Sequence, residues 1–86
     1  MADKRKKVRN LPPSELPAIY GDMDNANQNM YGVKLGNIAR ANKYTLEEVA
    51  DYMGVSIYVV IEWYRGRIGM SRYYVNKTKL LLERLG

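Results

Sequence analysis

The chain has 86 residues and a formal charge of +5, and it contains neither cysteine nor histidine. A length of this order supports one small domain that buries about 60% of its unfolded surface. Disulfides, thiolate metal sites and imidazole chemistry are excluded, so an enzyme is not expected and no cofactor is implied.

The charge is unevenly spread. Residues 1–10 hold Lys4, Arg5, Lys6, Lys7 and Arg9 against Asp3, a net +4. Residues 11–33 hold Glu15, Asp22 and Asp24 and no base, a net −3, and residues 34–86 set nine bases against five acids, again +4. A basic balance attracts polyanions without choosing among them. The basic start is followed by "NLPPSELP" rather than an apolar run, and no stretch approaches the roughly 18 apolar residues of a membrane span. A cytoplasmic protein with no membrane partner is expected.

Residues 1–29 carry all three prolines and end in the polar run "GDMDNANQN", which reads as a mostly flexible arm and linker. Within them Leu16, Ile19, Tyr20 and Met23 keep i, i+3, i+4, i+7 spacing, enough to dock one apolar turn on the body. The aspartates of "DMDNAN" do not make a calcium loop, since Ala26 and Asn27 occupy a ligand position and the required glycine position.

Residues 30–86 read as the folded domain. Tyr31, Leu35, Ile38, Ala39 and Asn42 line one face of a first helix, although Gly32 and Gly36 each cost about 1 kcal/mol relative to alanine. Thr45 and Glu48 form a capping box that starts a second helix, with Leu46, Val49, Ala50 and Met53 inward. Gly54 suits the left-handed close of that helix, and Ser56 caps a third one running to about Tyr64, with Val60 and Trp63 inward. After "GRIGMS", Ser71 caps a last helix in which Tyr74, Thr78, Leu81 and Leu85 share a face. The expected fold is all-α, with four helices behind a basic arm. Leu80, Leu81, Leu82 and Leu85 exceed what one face needs, which points to a homodimer seam on the C-terminal helix or to a further domain packed there.

A helix, a three-residue turn containing Gly54 and a second helix place the latter across the former, so that its N-terminal end projects toward a groove about 12 Å wide. In order, these residues resemble the helix-turn-helix of the phage-repressor and Cro family. The likeness runs over residues 31–66, with "YTLEEVADYMGVS" its most specific part and "WYRGR" similar to the family's exit from helix 3. It implies a compact helical domain that binds double-stranded operator DNA, usually as a homodimer, without a cofactor. By position, Ser56, Ile57 and Tyr58 would begin the recognition helix, and Ile61 with Glu62 would lie one turn further along the same exposed face. Thr45 and Leu46 correspond to places of DNA-backbone contact. Arg65, Arg67 and Arg72 would follow near phosphates, and Lys4, Arg5, Lys6 and Lys7 resemble the family's flexible basic arm.

The chain departs from that pattern at Leu46, where the family commonly has glutamine, and at Ile57 and Tyr58, where it commonly has polar residues. Base edges are read largely by bidentate hydrogen bonds, whereas Ile57 offers a thymine methyl only apolar contact and Tyr58 has one hydroxyl. Glu62 accepts from cytosine but repels phosphate. The family also usually carries a fifth helix.

The expectation is a small transcriptional regulator that prefers certain double-stranded DNA sequences and acts by occupancy, with phosphate contacts supplying most of its affinity. A protein-interaction module, antitoxin-like or a host-takeover inhibitor, is the alternative if exposed Ile57, Tyr58 and Ile61 form a partner-binding patch. A third reading, the DNA-recognition part of a packaging subunit or an excisionase-like factor, requires further chain or a β-wing around "RYYVNKTK".

Overall fold

The computed structural model describes residues 15–85, which form five α-helices joined by short turns. They are α1 (Glu15–Asn25), α2 (Tyr31–Ala41), α3 (Leu46–Met53), α4 (Ile57–Tyr64) and α5 (Arg72–Leu85). Helices α2 to α5 are the four that the sequence predicts. Lys4, Arg5, Lys6 and Lys7, read as a basic arm, lie outside the described residues.

The addition is α1. Residues 15–25 read from sequence as part of an arm with one docked turn; instead they make three turns whose inward residues, Ile19 and Met23, sit in the same core as α2, α3 and α4. Tertiary burial explains the difference. An isolated 11-residue helix is marginal in water, and the stabilisation comes from its apolar face rather than from propensity. The polar run after it is a hydrogen-bonded connector. The Gln28 side-chain amide donates to the Met23 and Ala26 carbonyls at 2.7 and 3.0 Å, adding to the Ala26 amide that already bonds the Met23 carbonyl at the end of α1. Asn37 of α2 in turn donates to Gln28 Oε1.

Gly32 and Gly36, which weaken α2 as an isolated helix, are where its neighbours come closest. A Cβ on Gly32 would lie 2.6 Å from the Trp63 carbonyl oxygen, and one on Gly36 would lie 2.9 Å from both the Met23 sulfur and the Tyr64 ring. The propensity cost of about 1 kcal/mol per glycine therefore secures backbone contact with α4 at Gly32 and close side-chain packing from α1 and α4 at Gly36. Helix α4 is the centre of the packing and meets α1, α2 and α3. Helix α5 closes the far side against α2, with Trp63 and Tyr74 rings 5.2 Å apart and Thr78 buried, its hydroxyl donating to the Met70 sulfur. No strand occurs among the described residues, and "RYYVNKTK" is the start of α5, so the β-wing that one reading required is not formed there.

Burial also shapes one polar group. The Tyr64 hydroxyl is buried without a hydrogen-bond partner, and burial, helped by the nearby Tyr20, pushes its pKa well above the ordinary value of 10.0.

Candidate nucleic-acid interface

The turn between α3 and α4 is built as its sequence predicts. Thr45 Oγ1 accepts from the Glu48 amide at 3.0 Å, while Glu48 Oε1 accepts from the Thr45 amide at 2.9 Å. Gly54 adopts φ 76° and donates to the Ala50 carbonyl, and Ser56 Oγ accepts from the Val59 amide. These are local contacts, each satisfying an orphan group of a helix end.

What α4 presents is different from the expected recognition face. Ile57 and Ile61, read as exposed, are 3% and 7% exposed and belong to the core. Together with Val60, Trp63 and Tyr64 they form the inward face of the helix, which packs against α1, α2 and α3 and leaves Tyr58, Val59 and Glu62 on the open side. Leu46 is likewise buried. The apolar patch proposed as a protein-binding surface shrinks with them, since of its three residues only Tyr58, 54% exposed, faces solvent. Ser56 and Thr45 are exposed, and Glu62 and Val59 are partly so.

The electrostatics of this unit oppose phosphate. Residues 45–64 contain Glu47, Glu48, Asp51 and Glu62 and not one lysine or arginine. Glu47 and Glu48 in the first turn of α3 complement its helix dipole, and Glu48 occupies the cap, so that helix end offers little to an anion. Arg65 and Arg67, expected beside phosphates, already face carboxylates: Arg65 Nε lies 2.9 Å from Asp22 Oδ2, and Arg67 Nη1 lies 3.4 Å from Glu62 Oε2. Exposed pairs of this kind contribute about 0–1 kcal/mol to stability, but each carboxylate offsets the pull of its arginine on phosphate.

Positive charge without a local counter-ion gathers elsewhere. Helix α5 carries Arg72, Lys77, Lys79 and Arg84 against the single acid Glu83. Neither these four nor Lys34 of α2 forms an ion pair among the described residues. Lys34 and Lys79 converge on one ring, their ammonium nitrogens 5.0 and 5.7 Å from the centroid of Tyr31. Arg72, Asn76 and Lys79 line one shallow depression with Met70 and Val75. On the opposite flank of α5, Lys77 lies over the Tyr52 and Tyr73 rings and donates to the Tyr52 carbonyl at 2.8 Å, which ties α5 to α3.

Of the positively charged residues named from sequence, then, Arg72 alone joins this region. Lys34, Asn76 and Lys79 were missed. The four bases of α5 were visible as composition, but the meeting of α2 and α5 at Tyr31 depends on tertiary packing. The leucines expected to form a dimer seam divide: Leu80 is exposed, while Leu81 packs toward the core and Leu82 and Leu85 are half-buried. No helix among the described residues is long and apolar enough to cross a membrane. Comparison with family models, curated proteins and solved structures finds no match to this chain.

Proposed function

We propose that this is a small non-catalytic protein that binds double-stranded DNA and regulates transcription by occupying it. The observation that carries the reading is a single helix, α5, bearing four bases to one acid, none of the bases ion-paired among the described residues, on a body that also holds a helix-turn-helix. Phosphate neutralisation supplies affinity in such a protein, and base contacts supply preference. With Ile57 and Ile61 buried and no lysine or arginine on α4, that helix offers a duplex little to contact, so the sequence preference is weak.

Fluorescence-anisotropy titration of mixed-sequence duplexes tests this. Several phosphate contacts predict affinity that falls by orders of magnitude between about 50 and 200 mM salt. No binding at either salt contradicts the proposal. A second reading, a protein-interaction module, is favoured by one observation: Tyr44, Tyr52 and Tyr58 are large side chains exposed on or beside the α3–α4 unit. Capture of a defined partner protein, lost on Tyr58→Ala and insensitive to duplex competitor, would support that reading instead.

A further inference from the structure

We infer that the phosphate-binding surface is the seam between the start of α2 and the outer face of α5, formed by Lys34, Arg72 and Lys79 with Asn76 between them, rather than the α3–α4 unit. The inference rests on the DNA-binding reading and deepens it by naming the surface and the chemistry it recognises, the phosphodiester backbone of a duplex.

Four observations converge on the seam. First, Lys34 and Lys79 come from different helices yet hold their ammonium groups against the same Tyr31 ring, at 5.0 and 5.7 Å. That contact orders two flexible side chains in advance, so less rotamer freedom is lost when a ligand arrives. It also gathers both charges at one ring, where their fields add. Second, Arg72 shares a depression with Lys79, and Asn76 contributes a neutral amide donor on the same wall. Guanidinium, ammonium and amide together match the donor set that proteins direct at phosphate oxygens.

Third, none of the three bases is ion-paired among the described residues, whereas Arg40, Arg65 and Arg67 are held by Asp24, Asp22 and Glu62. Glu83, the one acid of α5, follows Lys79 by a single turn and forms no ion pair with it. Fourth, α5 carries a net +3, which attracts a polyanion and turns this side of the body toward a duplex before any contact forms. Tyr31 in this arrangement is a positioning residue.

The test compares Lys34→Gln, Arg72→Gln and Lys79→Gln with Lys43→Gln, a change at an exposed lysine in the α2–α3 turn, each checked by circular dichroism for an unchanged fold. Duplex binding is read by anisotropy across a salt series, and binding to phosphatidylserine vesicles is read in parallel. Each seam substitution should flatten the slope of log affinity against log salt by about 0.9 and weaken all duplex sequences alike, several-fold at low salt. Lys43→Gln should leave both unchanged. Tyr31→Ala should weaken duplex binding with the salt slope unchanged, since it removes no charge. If the native protein binds duplex with a steep salt slope that the seam substitutions do not alter, the seam assignment is overturned and the DNA-binding reading stands. If the native protein binds no duplex, or binds only vesicles, both are overturned.

Discussion

The two faces of this body, the α3–α4 unit and the α2–α5 seam, divide shape and charge between them. The first has the capped turn between two helices that the sequence predicts, but the apolar residues of its second helix are used internally and it contributes no lysine or arginine of its own. The second has no recognisable motif, yet it collects bases with no counter-ion among the described residues and pre-orders two of them on an aromatic ring. The contrast teaches that a capped helix-turn-helix pattern and an accumulation of positive charge are separable properties. Which face carries function depends on what the rest of the chain packs against the motif.

Helix α1 is the element the sequence did not foresee in the core, and the largest predicted effect falls there. Met23→Ala removes a fully buried side chain between α1 and α2 and should lower stability by about 2–5 kcal/mol, seen as a lower urea midpoint. A change below about 0.5 kcal/mol would mean that α1 is a loosely attached arm and that α4 keeps an open apolar face. Next in size, Gly32→Ala sets a Cβ 2.6 Å from the Trp63 carbonyl oxygen and should destabilise by about 1–3 kcal/mol, although an isolated helix would gain from the change. A stabilised Gly32→Ala variant would show that α2 and α4 are not in backbone contact.

The buried Tyr64 hydroxyl sharpens the same packing argument through pH. Its pKa is raised in the folded protein, so the folded state holds this proton more tightly than the unfolded chain. The sign follows from linkage: the stability this group contributes is complete below the unfolded value of 10.0 and is lost as pH rises above it, at up to about 1.4 kcal/mol per pH unit. Tyr64→Phe should flatten that alkaline decline. At neutral pH the same variant should be more stable by about 1 kcal/mol, because an unpartnered buried hydroxyl is replaced by hydrogen. Denaturant titrations at neutral pH and from pH 9 to 11 read both effects. A similar or smaller effect, about 0.5–2 kcal/mol lost, is expected for Thr45→Ala, which opens the capping box of α3. Tyr58→Ala should leave duplex affinity and preference unchanged, and an altered preference in anisotropy competition would return base reading to α4.

What was legible in the sequence was local. Thr45 with Glu48, Gly54 and Ser56 announce helix ends through contacts spanning three or four residues, and each is found as expected. The inward set Val49, Ala50, Met53, Val60 and Trp63 follows from the same spacing. What was not legible depends on contacts between distant segments. Ile57 and Ile61 are an exception, since with Val60 and Tyr64 they keep i, i+3, i+4, i+7 spacing and a helix wheel puts all four on one buried face; the family resemblance, which makes them a recognition face, hid it. The signal for α1 was present in Leu16, Ile19, Tyr20 and Met23, but Pro12, Pro13 and Pro17 and the polar run after Gly21 favoured a linker. Likewise, Arg65 and Arg67 appeared available for phosphate because nothing local shows that Asp22 reaches Arg65 from α1.

The most direct test of the division between the two faces is an amide chemical-shift titration of the protein with a short mixed-sequence duplex at low salt. The predicted result is that the largest shifts fall on residues 31–34 and 72–79, with residues 56–62 changing little. Shifts concentrated on residues 56–62 instead would contradict the account and return the recognition role to α4.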